Sequence, residues 1–371
     1  MLLVRGTRAR RCKDELLPIF KHVLKKINLL EEKIMMKKTA LTMAAILTAA
    51  AVMTGCTSSA PTAPASSAAA GSDTAAASSG ESYKIGVFTK DSTTAFWRYV
   101  VQGAMAKGEE LGVEVIEYAP ASYTDSAGQL SMVEDSISAG VDAICIASCD
   151  STAIVPALEK ATAAGIPVVI FNTLVPDFKD NITFVGVDNY DASYRVTEEL
   201  IKAHDGKGNL VILEGDPAGY QNIERTRAVT DLAEKYPDVN IITRQPGYAN
   251  REKSMNAMEN ILQAYSDIDM VWAINDVAAM GCVQAIEGAG RTGIDVIGID
   301  GTPEGATAAK DGRLKFTIDQ GPFDQGAMSV QAAVDYLNGK EIEENYATGG
   351  TIVGTDNADA FLQEFYPDFN K

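Results

Sequence analysis

Met270-Val271-Trp272-Ala273-Ile274-Asn275-Asp276 and Val296-Ile297-Gly298-Ile299-Asp300-Gly301-Thr302-Pro303 are two short apolar runs, and each ends in polar residues. Between them, residues 277–287 repeat their apolar side chains at helical spacing, so the stretch reads strand, helix, strand. Such a unit closes as two parallel strands with the helix laid over one face, because parallel neighbours need a long crossover. The intervening Gly288-Ala289-Gly290-Arg291-Thr292-Gly293 has the spelling GxGxxG, but it follows a helix and precedes a strand. A dinucleotide site needs the opposite order. These glycines are read instead as a helix C-cap and turn.

The same rhythm extends in both directions. Ten strands are predicted, at 84–89, 113–118, 143–147, 168–172, 183–187, 210–214, 241–244, 270–273, 296–300 and 316–320. Helices are predicted at 96–111, 130–139, 153–164, 192–203, 225–236, 253–265, 277–287, 304–310 and 326–337. So many strands favour two sheets over one, in an α/β fold of doubly wound type. Ligands of such folds sit beyond the carboxyl ends of the strands. Polar and aromatic residues collect there: Lys90-Asp91-Ser92-Thr93-Thr94-Ala95-Phe96-Trp97, Ser148-Cys149-Asp150, Phe171-Asn172-Thr173, Glu214-Gly215-Asp216, Asn275-Asp276, Asp300-Gly301-Thr302 and Asp319-Gln320. Each alone is a turn or N-cap signal; their recurrence points to a shared cleft.

Ala273-Ile274-Asn275-Asp276, the run from Val296 to Pro303 and Thr317-Ile318-Asp319-Gln320, in this order and spacing, resemble the type 1 periplasmic binding proteins. Within these the chain is most similar to the ribose- and galactose-binding group that feeds sugar ABC transporters, from about Tyr83 to the C-terminus. The resemblance implies two Rossmann-like lobes, each a doubly wound parallel sheet, joined by a three-strand hinge with the ligand cleft between them. The crossings would fall near 187–189, 320–321 and 348–351. The N-terminal lobe would be 83–187 plus 321–347, and the C-terminal lobe 188–320 plus 348–371.

Position by position, the resemblance implies that Phe96 and Trp97 cover the C–H face of a sugar. It implies Arg225 as a fork of donors, Asn275 as an amide that donates and accepts, Asp300 as an acceptor for hydroxyls and Gln320 as the hinge-side amide. Asn172 is expected at the same ligand, with Asp91, Thr94, Thr173 and Tyr248 as further candidates. The plainer role for Asp300 is to cap the next helix through Thr302. Asp276 is expected to cap the helix at 277, and Arg227 to be a solvated charge. Departures from the group are specific. Asn172-Thr173 stands where sugar binders commonly carry Asp-Arg, replacing a charged pair by neutral groups. Trp97 stands for a Phe of the ribose binders, and Ala249, next to Tyr248, lies near the place of a further aromatic.

Upstream, Lys37 and Lys38 precede sixteen uncharged residues, 39–54, and Met53-Thr54-Gly55-Cys56 opens onto Ser, Ala, Thr and Pro. That is the grammar of a secretory signal, too short for a lasting bilayer anchor. With Cys after Thr-Gly it resembles a bacterial lipoprotein box over 35–55, which implies lipidation of Cys56. Residues 56–82 have almost no large apolar side chain and are expected to be a flexible tether spanning roughly 25–30 Å. The basic stretch 1–34 precedes an already complete signal and is expected to be a mis-assigned leader.

The first 55 residues hold 11 basic and 4 acidic side chains, so the overall charge of −18 becomes −25 for the remainder. Such a surface repels phosphates and argues against nucleic acid as a partner. Cys145, Cys149 and Cys282 suit no zinc site, and they are read as small buried hydrophobes in preference to a Cys145–Cys149 pair. His204, the one histidine after the signal, is read as a charge partner at a helix C-terminus. No Gly-x-Ser-x-Gly or His-Glu-x-x-His is present, and no cofactor, metal or catalytic residue is expected. The reading is an extracytoplasmic, monomeric, lipid-tethered binding protein that hands a small polyhydroxylated ligand to an ABC permease. The rival is a sensor that reports its ligand to a membrane receptor or histidine kinase.

Overall fold

The computed structural model describes residues 82–217, 219–367 and 369. The leader, the signal, Cys56 and the tether up to residue 81 lie outside these residues.

Two parallel sheets dominate. β1 (Lys84–Phe88), β2 (Glu114–Tyr118), β3 (Ala143–Ile146), β4 (Val168–Phe171) and β5 (Asn181–Gly186) join β11 (Asn345–Ala347) in a six-stranded sheet of order β11-β5-β4-β3-β1-β2. β6 (Lys207–Glu214), β7 (Asp238–Pro246), β8 (Met270–Ala273) and β9 (Asp295–Ile297) form a second sheet of order β7-β6-β8-β9. A short antiparallel pair, β10 (Thr317–Ile318) with β12 (Ile352–Val353), completes the strands, and single bridges Ile297↔Phe316 and Asp300↔Asp319 tie it to the end of β9. The α/β class and the two-lobed design expected from the sequence are observed.

Among the described residues the helices are α1 (Ala95–Leu111), α2 (Ser126–Ala139), α3 (Val155–Ala163), α4 (Asn189–Ala203), α5 (Tyr220–Ala233), α6 (Arg251–Ala264), α7 (Asp276–Gly288), α8 (Pro303–Lys310), α9 (Pro322–Leu337) and α10 (Ala358–Phe365). They cover both faces of the first sheet, which is why its strands are apolar without interruption. In β3 the alternation is visible residue by residue. Ala143 and Cys145 join the cluster of Trp97, Val100, Val330 and Ala333 from α1 and α9, whereas Ile144 and Ile146 join Val133 and Leu158 from α2 and α3. The second sheet has one large core around Trp272, Leu200, Ile212 and Met258.

α1 and α9 lie backbone to backbone. A Cβ on Gly103 would stand 1.9 Å from the Phe323 carbonyl oxygen, and one on Gly326 1.8 Å from that of Val100. Only glycine permits this approach. α9 and β11 therefore belong to the first sheet although they come near the end of the chain.

Three elements escaped the sequence reading: β11, β12 and α10. The strands are three and two residues long, too short to show a period. α10 buries Phe361 and Leu362 against Ala306 and Val353, and Tyr366 just beyond it meets Tyr99 of α1 edge to face with centroids 4.8 Å apart. Helices α2 and α5 begin four and five residues before their predicted starts. Their first turns, Ser126-Ala127-Gly128-Gln129 and Tyr220-Gln221-Asn222, have little apolar content for periodicity to register. Gly288 ends α7, and Gly290 and Gly293 take positive φ of 63° and 78°, the turn expected of them. Cys145 and Cys282 are buried free thiols and Cys149 is a partly buried one, and burial pushes Cys149 and Cys282 up to about 12. His204 follows α4 and meets Asp295 at 3.0 Å.

Candidate functional site

The carboxyl ends of the two sheets face each other across a cavity of about 410 Å³, a figure that includes its opening to solvent. Phe96, Trp97, Thr94, Asn172, Arg225, Asn275, Asp300 and Gln320 all line it, together with Tyr123, Gln221, Ala249, Ile274 and Val277. From the first lobe, the start of α1 presents Phe96 and Trp97 edge to face, centroids 4.9 Å apart, and Trp97 leans on Phe171 and Tyr123. Both rings are anchored in the lobe's core, so their free surfaces are held rigidly toward the cavity.

Opposite them runs a chain of buried polar groups. Arg225 of α5 donates from Nε to Asn189 Oδ1 at 2.8 Å, from Nη1 to the Ile274 carbonyl at 2.8 Å and from Nη2 to Gln320 Oε1 at 2.9 Å. Gln320 in turn donates to Asp300 Oδ1 at 2.6 Å. Asn172 donates to Gln320 Oε1 at 3.4 Å and to Gln325 Oε1 at 3.3 Å, and Asn189 donates to the Asn172 carbonyl at 3.0 Å. The fork of Arg225 is thus fixed by three acceptors, none of them a carboxylate. Burial, with the neighbouring Asp276, pushes Asp300 well above the usual carboxylate range, against the pull of Arg225. Burial likewise lowers Arg225, with Asp300 the main opposing influence. The two groups face each other through Gln320 in a medium where unpaired charge is costly.

Several roles differ from those expected. Asn275, not Asp276, caps α7: its Oδ1 accepts from Ala278 N at 3.0 Å, which leaves its amino group as its main offering to the cavity. Asp276 is buried behind the wall, where it accepts from Thr302 N, Thr302 Oγ1 and Thr317 Oγ1. Thr302 itself caps α8, and Asp300 has no part in that cap.

Asp91 does not reach the cavity, because its carboxylate accepts from the N–H and hydroxyl groups of Thr93 and Thr94 and so shapes the loop before α1. Tyr248 also stays out. It and Ala249 both adopt positive φ, at 54° and 52°, and this turn sends Tyr248 to the surface beneath Lys253 while Ala249 lines the wall. Thr173 faces a side compartment rather than the main cavity. Arg227 is exposed, pairs with Glu224 and covers Tyr190.

The neutral pair Asn172-Thr173 is not the whole account of that corner. Lys90, at the end of β1, is buried and donates from Nζ to Thr173 Oγ1 at 2.7 Å and to Gln221 Oε1 at 3.4 Å. A cation absent from position 173 is supplied through space from another strand. Lys90, Tyr123 and Gln221 are the cavity-side residues that sequence reasoning missed. Lys90 sat within the polar run after the first strand, but no spacing links it to residue 173.

The sequence matches the periplasmic binding protein domain over residues 85–341. The chain belongs to that family. Within it, the periplasmic binding protein resembles the sugar-binding members of ABC transporters, and it is a solute-binding protein rather than an enzyme. It is 33% identical over 265 residues to the ribose import binding protein of Bacillus subtilis, covering 71% of this chain and 85% of that protein. A solute-binding protein of Actinobacillus succinogenes solved with D-allose superposes with a TM-score of 0.71 at 30% identity, over 75% of this chain and 99% of that one. A second, from Bacillus halodurans with myo-inositol, gives a TM-score of 0.71 at 28% identity, over 76% and 98%. Among the described residues no helix is long and apolar enough to cross a membrane.

Proposed function

We propose that this chain is an extracytoplasmic solute-binding lipoprotein, tethered through Cys56, that captures a small sugar or sugar-like polyol as a monomer and delivers it to an ABC importer. The observation that carries the reading is the cavity wall itself: two fixed aromatic rings with Asn172 on one lobe, and Arg225, Gln320, Asp300 and Asn275 on the other, linked by hydrogen bonds through Gln320. Rings suit the apolar face of a sugar and the polar chain suits its hydroxyls. The ligand contacts are assigned to Phe96, Trp97, Thr94, Asn172, Arg225, Asn275, Asp300 and Gln320. The lobes are assigned as 83–187 plus 321–347 and 188–320 plus 348–371, closing about the crossings between them. A ligand that touches both lobes favours the closed arrangement by its differential contacts, and a permease can read that arrangement.

A thermal-shift screen of the chain from Cys56, with Cys56 replaced, tests the ligand class. A true ligand at about 100 times its Kd adds about 2.7 kcal/mol. Stabilisation by amino acids or nucleosides with none by sugars or polyols refutes the class. Fractionating cells that express the wild type and Cys56→Ala tests the anchor, since the variant should leave the membrane fraction.

A further inference from the structure

Beside the main cavity lies a second, small compartment, and the two share Tyr123, Gln221, Ala249 and Ile274 as a common wall. Ala249 is the smallest of these, and Tyr123 and Gln221 join across the same wall at 3.0 Å. The floor of the second compartment is Lys90 on Thr173, with Cys149 beside them and Asp216 on the facing lobe. Lys90 is only 2% exposed, yet both of its hydrogen-bond acceptors, Thr173 Oγ1 and Gln221 Oε1, are neutral. Its ammonium lies 4.9 Å from the centre of the Tyr123 ring.

An ammonium has three protons to place, and two are placed here. Removing it from water without a hydrogen-bonded anion costs several kcal/mol. A methionine or threonine at residue 90 would fill the space without that cost, so the charge is retained for something that arrives.

We propose that the solute carries a carboxylate which enters this compartment and hydrogen-bonds to Lys90, so that the ligand class is a sugar acid. The proposal rests on the sugar reading of the main cavity and narrows it: the ring lies against Phe96 and Trp97, and the acid group extends past Tyr123. A monoanion fits better than a phosphate dianion, because one ammonium offsets one charge and Asp216 lines the same space. The charge state of Lys90 agrees. Burial pushes it down to about 7, and Arg225 pushes the same way while Cys149, Asp216 and Asp300 push back. An arriving carboxylate would restore the proton.

The test is calorimetric titration of the purified full chain near pH 8 with pairs of neutral sugar and corresponding acid, for example arabinose with arabinonate and galactose with galacturonate, and with a sugar phosphate. The expected result is that an acid binds about tenfold or more tighter than its neutral parent, the scale of one charge-assisted hydrogen bond. Lys90→Met should erase that preference, leaving acid and neutral parent equally bound, with neutral binding weakened by no more than the loss of its contact to Gln221 accounts for, and Lys90→Arg should restore part of the preference. Should Lys90→Met fail to fold, the wild type still decides. In buffers of different ionisation heat, acid binding should take up close to one proton and neutral binding none. Neutral parents binding as tightly as the acids, or a phosphate binding tightest, overturns the proposal and leaves the sugar reading standing. If neither sugars nor acids bind, both fall together.

Discussion

Tyr123 and Gln221 belong to opposite lobes, and Tyr123 Oη donates to Gln221 Oε1 at 3.0 Å. Gln221 also accepts from Lys90 and reaches Asn172 Oδ1 from its Nε2 at 3.5 Å. One residue at the start of α5 therefore makes three contacts with the first lobe, and all three must break if the cleft opens. A neutral hydrogen bond contributes a net ~1 kcal/mol. Tyr123→Phe should weaken ligand binding about fivefold through a smaller closed population, and Gln221→Ala should do more. Titration calorimetry with small-angle scattering of the free protein checks this; unchanged affinity and radius in both variants would show that the contact is no latch.

Asp300 is the acceptor that no neighbour can replace. Leaving a buried polar group without its partner costs ~1–3 kcal/mol, or about fivefold to a hundredfold in affinity. Asp300→Ala should therefore abolish the ligand-induced thermal shift. It leaves Gln320 Nε2 without its acceptor, so a small drop in the melting temperature of the free protein is expected as well. A variant that binds normally would remove Asp300 from the site.

The α1/α9 contact predicts a stability effect far from the cleft. Gly103→Ala or Gly326→Ala drives a methyl group into a facing carbonyl, because the available gap is under 2 Å in both cases. Overpacking of this kind costs ~1–3 kcal/mol or more. Urea denaturation should show a lower midpoint with an unchanged slope; a neutral result would mean that the two helices separate freely.

Two buried groups give stability a dependence on pH with opposite signs. Burial raises Asp319 to about 7, so between about 4 and 7 the native state holds a proton that the unfolded state releases, and stability falls as pH rises. Lys90, lowered to about 7 by burial, is neutral in the native state while the unfolded chain keeps its proton up to about 10.5, so stability rises across that upper window. These two contributions together place a minimum near neutrality, each on the order of 4 kcal/mol at full extent. Thermal melts from pH 4 to 10 check the pattern. Lys90→Met should flatten only the upper limb, and Asp319→Asn only the lower.

The sheets were legible in the sequence because a strand covered on both faces writes itself as an unbroken apolar run, as Val168–Phe171 does. Residues that follow such runs were legible as cleft residues for the same reason, and Phe96, Arg225, Asn275, Asp300 and Gln320 all reach the cavity. What stayed hidden depends on pairings across the fold. The Lys90–Thr173 contact joins residues 83 positions apart. The outward turn of Tyr248 depends on backbone angles that a Tyr-Ala pair does not advertise. Helix α10 carries a clear apolar face, but it is eight residues long and lies beyond the last strand that the α/β rhythm announces.

The seam between α1 and α9 also has a bearing on the order of synthesis. Val330, Ala333 and Val334 complete the core around Ile85 and Val87, and Gly326 is the surface on which α1 rests. A ribosome releases α1 early and α9 only when less than one seventh of the chain remains. Until then, α1 alone covers that face of the first sheet. The first lobe of such a nascent chain stays incomplete for most of its translation and can finish only after nearly the whole sequence has emerged.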